Sequence, residues 1–500
     1  MRTTTLFATV AISACVSADP RPAISPQTAA SAATTTTTTT STPAPDASAT
    51  TPPPTASLPP ALADLQKQAL SASHAYAIVR SLTDEVGPRA SGSSGDKAAV
   101  AWAQRTLSAN GFANVHAEKV SVGHWQRGVE TASFTAAGQT HSLVVTALGG
   151  STATPAAGIE AEVVEVASMA ELRALDKSAA AGKIVFVDVP TRRSRDGHGY
   201  GEAVGVRYSG AGVAKKLGAV ALVIRSIGTD HDRLPHTGAQ ARDDKGIPAA
   251  ALSAPDADRL HRALAEKKGV KLRLTLTPKR LPDAESANVV GEITGREKPD
   301  EIVLLGAHLD SWDLGTGALD DGAGVAIVMD AARLIGLMPT RPRRTVRVVL
   351  FANEEHGRDG GDAYAKLHAP ELAKIVAACE ADLGADRAFA TRYLGSPEQR
   401  PRFAEIAAFV APLGVEPDMT DAWGGSDIAP LRALGVPMFD LSQDATRYFD
   451  WHHTANDTLD KIDEAQIAQV VAAVATMSYA IADMEGDLGR VPEPKRKERW

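Results

Sequence analysis

Cysteine is nearly absent: the 500 residues hold only Cys15 and Cys379. With Cys15 in the leader, one thiol remains for the fold, which excludes an intramolecular disulfide and a cysteine-built zinc finger. Cys379 lies in an apolar run and reads as a buried hydrophobe. Basic tracts are missing from the body of the chain, and the formal net charge is −8. The terminal PKRKER is short and reads as a solvated tail, so no nucleic-acid surface is expected. No internal repeat is visible. The first apolar run falls far short of the ~18 residues that a membrane span needs. Large apolar residues are scarce from Asp19 to Pro60, a stretch of Ala, Thr, Ser and Pro that cannot bury a core.

The leader itself carries a signal. MRTTTLFATVAISAC has one Arg, a short apolar run and then Ile12-Ser13-Ala14-Cys15. Residues 1–18 read as a secretion signal. Cleavage before Cys15 would leave a lipidated cysteine and an envelope lipoprotein, anchored to a membrane only through its lipid. Cleavage after Ala18 would release a secreted form. Residues 19–60 then serve as a flexible tether.

About 440 residues follow, enough for two domains with full cores. Residues 61–119 start helical, and SSGDKAAVAWAQRTLSANG has a capping Ser, apolar spacing near 3.6 and a final Gly. Residues 120–284 alternate short strands (AEVVEVA, GKIVFVDV, AVALVIRS, VKLRLTLT) with two helical segments. This insert holds none of the candidate metal clusters and reads as a lid or interaction module. Residues 285–487 resume the first domain and end in EAQIAQVVAAVATMSYAIADM, amphipathic enough to pack on a sheet. Residues 488–500 form the charged tail.

The chemistry concentrates in the resumed segment. EIVLLGAHLD is a continuous apolar run ending in polar groups, as expected of a buried parallel strand. TVRVVLFANEE has the same form. Between them DGAGVAIVMDAARLIG reads as a helix entered from a glycine-rich turn. His308, Asp310, Asp320, Glu354 and Glu355 therefore collect at the carboxyl ends of strands, where open α/β sheets bind ligands. IVAACEADLG adds Asp382, and DWHHTANDTLD adds His452 and His453. Buried carboxylates are costly unless paired or holding a cation, so a metal site is the simplest reading. Imidazole with carboxylate suits zinc, and the set is too rich in His for calcium or magnesium. Each string alone is also compatible with a solvated turn. GGSD, with Ser426 and Asp427, reads either as a substrate-facing loop or as a helix N-cap.

Taken together, GAHLDSWDLGTGALDDGAG, ANEEHG, CEADLG, GGSDIAPL and HHTANDTLD resemble the co-catalytic di-zinc aminopeptidase and glutamate carboxypeptidase family, above all its carboxypeptidase Q-like branch. The resemblance runs from about Leu65 to Glu485 and includes VGPRASGS and VHAEKVSVGHWQRG. It implies a zinc exopeptidase fold: a mixed, mostly parallel sheet flanked by helices, with an inserted protease-associated β/α domain. It implies two zinc ions per chain, with Asp320 bridging, His308 and Asp382 completing one site, and Glu355 and His453 the other. Glu354 matches the general base acting on a water between the metals. Asp310 matches the carboxylate behind His308, and the Asp320–Asp321 bond matches a position that is often cis. Relatives with a Tyr beside the second ligand His use it on the oxyanion; here His452 stands there. Asp313, Asp321 and His356 have no matched ligand role and read as structural. The implied activity is hydrolysis of dipeptides or short peptides, with a homodimer as the implied assembly. An aminopeptidase with the same site, a silent binding protein on the same fold and a single-zinc acyltransferase remain the alternatives.

Overall fold

The computed structural model describes residues 58–136, 138–266 and 269–497. Cys15, both leader cleavage points and the tether up to residue 57 lie outside them, as do residues 498–500.

Two eight-stranded sheets organise the described chain. The first runs in the order Ala113–Gln126, Lys279–Ile293, Arg344–Phe351, Lys298–His308, Ile375–Glu380, Met438–Gln443, Ala388–Leu394 and Glu416–Pro417. Its four central strands, Arg344–Phe351 through Met438–Gln443, are mutually parallel. Antiparallel strands flank them at Lys279–Ile293 and Ala388–Leu394. Val303, Leu305, Val346, Val348 and Leu350 pack beneath the helix Ala323–Gly336. Leu304, Val349 and Phe351, the alternate residues, pack on the opposite face with Tyr364 and Ile428. Strands buried on both faces need the near-continuous apolar runs that the sequence shows.

The helix Glu464–Asp483 differs from its expected amphipathic form. Every residue from Ile467 to Ala482 is buried. A helix apolar all round belongs inside a core, and this one is enclosed by the strands and the N-terminal helices Pro60–Ala72 and Ala75–Glu85. Its one buried amide is satisfied: Gln469 Nε2 donates to Ala388 O and Leu413 O at 2.9 and 3.0 Å.

The second sheet lies wholly within the insert, from Glu130–Ala136 to Lys271–Leu276. The boundaries drawn at 120 and 284 shift, because each falls inside a long strand of the first sheet. Ala113–Gln126 and Lys279–Ile293 pair antiparallel along their length and carry the chain into the insert and back. The tail is also less free than its charge suggests. Val491 is buried, and Lys495 Nζ lies 2.8 Å from Asp421 Oδ2.

Candidate metal and catalytic site

The carboxyl ends of the parallel strands gather the sequence-marked side chains. His308 ends its strand, and its Nδ1–H donates to the Asp310 carbonyl at 3.1 Å. That leaves the Nε2 lone pair for the cluster, a standard way to fix a ligating tautomer. Nε2 lies 3.1 Å from Asp320 Oδ1 and 3.6 Å from Asp382 Oδ1. On the other side of Asp320, His453 Nε2 lies 3.0 Å from Oδ2 and 3.1 Å from Glu355 Oε2. The Asp320 carboxylate thus gives one oxygen to each of two His-carboxylate sets. The Asp320–Asp321 peptide is cis.

Three supports hold this arrangement. Asp457 accepts from the N–H groups of Leu319 and Asp320 at 2.6 and 3.2 Å. Asp321 accepts from His308 N–H and Gly324 N–H, each at 3.0 Å. Buried Arg89 donates to the carbonyls of Leu309, Thr316 and Gly317 at 2.6, 2.7 and 2.8 Å. Sequence reading passed over Asp457 and Arg89, although both stand inside the quoted strings HHTANDTLD and VGPRASGS.

Several roles change on inspection. The Asp310 carboxylate is 3.7 Å from His308 Nδ1, farther than its own carbonyl. Its oxygens instead accept from Glu354 N–H at 3.0 Å, Glu355 N–H at 3.4 Å and Ser91 Oγ at 2.9 Å, so it chiefly shapes the Glu354–Glu355 turn. Asp427 is fully buried and has no hydrogen-bond partner for either oxygen. Its N–H donates to Glu380 Oε1 at 3.3 Å. Ser426 is also buried and lies beside Glu354, whose pKa it acts to lower. Asp313 is bound by Arg127, with Nε to Oδ2 at 2.8 Å. His356 is buried against Trp312, ring centroids 4.4 Å apart, and burial pushes its pKa down to about 4.

The electrostatics call for added positive charge. Burial raises Glu355 well above the usual carboxylate range, and the Asp320 charge raises it further. Burial, with Asp382 nearby, lifts Glu354 to about 7. Glu380 is lifted to about 8 by burial and Asp382, and Asp457 to about 7 by burial and Asp320. Asp320 Oδ2 and Glu355 Oε1 make no hydrogen bond of acceptable geometry despite complete burial. Orphaned acceptors facing one another beside two imidazole nitrogens are the donor set that a divalent metal requires. The residues present therefore fit zinc.

The insert reaches this site. Buried Arg207, on the helix His198–Lys216, places Nη1 3.3 Å from His453 Nδ1, while its Nε has no partner. Tyr200 on the same helix stacks on Phe449 at 4.4 Å and meets His452 edge-on at 5.0 Å. His452 stacks on His453 at 3.5 Å and lies 3.4 Å from Asp320 Oδ2, with Nδ1 unpartnered. Nothing in the sequence singled out Arg207 or Tyr200, since a helix of ordinary composition carries both. A separate cluster of Glu165, Asp188 and His261 sits within the insert, where none was expected. Arg225 already occupies it, 2.5 Å from Asp188, so it reads as an ion-pair network.

The chain is similar to known peptidases over most of its length. Residues 288–478, which hold every member of the two ligand sets, match the model of peptidase family M28. Carboxypeptidase Q of Xenopus laevis is 36% identical over 86% of this chain and 90% of its own length. Carboxypeptidase Q of Homo sapiens is 35% identical over 86% of this chain and 90% of its own length. The crystal structure of a peptidase M28 precursor from Shewanella amazonensis superposes with TM-score 0.84 at 46% identity, covering 86% of this chain and 98% of that one. A zinc aminopeptidase from Bacillus subtilis shares the fold at TM-score 0.61 and 20% identity, over 84% and 97% of the two chains. Similarity of this extent along most of the chain shows the family: the protein belongs to peptidase family M28 and is a zinc metallopeptidase.

Proposed function

We propose that the protein is an exported di-zinc exopeptidase that hydrolyses dipeptides or short peptides bearing a free carboxyl terminus. The observation that carries the two-metal reading is the divided Asp320 carboxylate, with Oδ1 turned to His308 and Oδ2 to His453. His308 and Asp382 would hold one zinc, Glu355 and His453 the other, and Asp320 both. Bound there, zinc would polarise the scissile carbonyl and acidify the attacking water.

The chain's own groups supply the proton traffic. Glu354 follows the strand Arg344–Phe351 and ends beside both ligand sets, next to Glu355, where a carboxylate can act as general base. It takes the water proton and delivers it to the leaving amine. His452 is held well below its usual pKa by burial and by His453, so it stays neutral with a ring N–H available to the oxyanion.

The substrate reading rests on Arg207. A buried guanidinium with an unpartnered N–H beside the ligand cluster matches a carboxylate, to which arginine bonds in a fork. This supports a carboxypeptidase or dipeptidase over an aminopeptidase. Export rests on the leader, with Cys15 as the point of lipidation. Free, N-blocked and C-amidated dipeptides decide the activity. C-amidation is expected to abolish cleavage; unchanged cleavage of the amides, with loss on N-blocking, would make the enzyme an aminopeptidase.

A further inference from the structure

The two adjacent histidines sit on a turn that the insert holds in shape. Thr454 N–H donates to Trp451 O at 3.0 Å. His452 has φ −46° and ψ 126°, and His453 has φ +64°. These are type II turn angles, and the position of His453 favours glycine because φ is positive. A β-carbon there is sterically disfavoured. The type I alternative differs by a half-rotation of the peptide between the two histidines, with a negative φ at the second. That rotation reverses the His452 carbonyl and turns it away from the insert.

The His452 carbonyl is where the insert takes hold. His236 is 1% exposed, and its Nδ1–H donates to His452 O at 2.7 Å. Its Nε2 meets Asp230 Oδ1 at 2.6 Å, so the ring is fixed from both sides. Thr237 N–H donates to His453 O at 3.0 Å. We propose that His236, oriented by Asp230, is a positioning residue that holds this strained turn by its His452 carbonyl and so keeps His453 seated at the cluster. The proposal rests on the reading of His453 as a zinc ligand. It makes the insert a working part of the site, because the strained turn has its decisive hydrogen bond from outside the catalytic sheet.

The test compares His236→Ala, His236→Gln and His236→Asn in the full chain. An Asn amide N–H can replace the Nδ1 donor; a Gln amide reaches the Nε2 position and leaves His452 O without one. Zinc release to a chelator, kcat, KM and thermal unfolding are measured for each. His236→Ala and His236→Gln are expected to weaken one of the two zincs by roughly 10–100-fold, the usual effect of losing a group behind a ligand. Their kcat falls while KM holds, and His236→Asn restores both zinc and kcat. Zinc held as tightly in the Ala and Gln variants as in the unsubstituted chain overturns the proposal. So does an Asn variant as weak as the Gln variant, and that contrast decides the matter if His236→Ala does not fold. Fewer than two zincs in the unsubstituted chain would overturn the di-zinc reading itself, whereas two tight zincs in every variant would overturn only the role of His236.

Discussion

The insert and the strand ends of the catalytic sheet treat buried charge in opposite ways. In the insert, Asp256 is fully buried, yet its carboxyl is held below its ordinary value. Burial acts to raise it, but Arg233, the Val144 N–H and Ser253 outweigh that effect. At the strand ends, Glu355 is also buried and is driven well above the usual range, by burial first and then by the Asp320 charge. One acid has its counter-charge within the polypeptide; the other faces Asp320 and two imidazoles. A buried acid that the polypeptide itself compensates is a structural ion pair; one that it leaves uncompensated marks a site built to receive cations.

The sharpest way to break the comparison is to remove the shared oxygen donors. Asp320→Ala should abolish turnover and lower the zinc content of both sites, whereas His308→Ala should empty mainly one. Elemental analysis with full occupancy in Asp320→Ala would end the bridging role. Next comes Glu354→Gln, which keeps size and loses the base. It should retain both zincs while kcat falls about 10²–10⁴-fold. Loss of zinc along with activity would instead make Glu354 a ligand.

Arg207→Ala tests whether the insert recognises substrate. Its kcat/KM for peptides with a free carboxyl terminus should fall roughly 10–100-fold, the worth of hydrogen bonds to a charged group. Most of the change should lie in KM, and zinc content should not move. An equal loss on C-amidated peptides would show that Arg207 props the site instead.

The unpaired acids also set a pH signature. In the zinc-free chain Glu354 and Asp457 titrate near 7 and Glu380 near 8. Their unfolded values are ordinary carboxylate values, so the folded state binds more protons between about pH 4.5 and 8. His308, raised well above its ordinary value by Asp310, Asp320 and Asp382 against the opposing effect of burial, acts in the same direction. Stability of the zinc-free chain should therefore fall as pH rises through this window. Zinc should remove much of the slope, and thermal melts with and without chelator measure it.

How much of this was legible beforehand follows from distance along the chain. The apolar runs into His308 and Glu354 announced parallel strands, and the glycine-rich turn announced the helix at Ala323–Gly336. Their ends had to meet once those strands paired. Asp457 was hidden because its partners are backbone N–H groups 137 and 138 residues away. His236 was hidden for the same reason: its meaning lies in one carbonyl 216 residues on. Apolar periodicity records which face is buried; it does not record which backbone group a side chain will meet.

The smallest effect on catalysis should come from the insert's own ion pairs. Arg225 lies 2.5 Å from both Asp188 and Asp258, and His261 lies 2.7 Å from Glu165 beside them. Arg225→Ala leaves two acids without their cation, so the insert should lose about 1–3 kcal/mol of stability. The variant should keep both catalytic zincs and an unchanged kcat. Adding zinc is the sharper half of the test. With Arg225 gone, Glu165, Asp188 and His261 become an unpaired His-carboxylate set like the one at the strand ends. If absence of a protein cation is what makes such a set a metal site, the variant should bind one additional zinc and recover part of the lost stability. No additional zinc would show that the strand ends owe their chemistry to geometry rather than to missing charge.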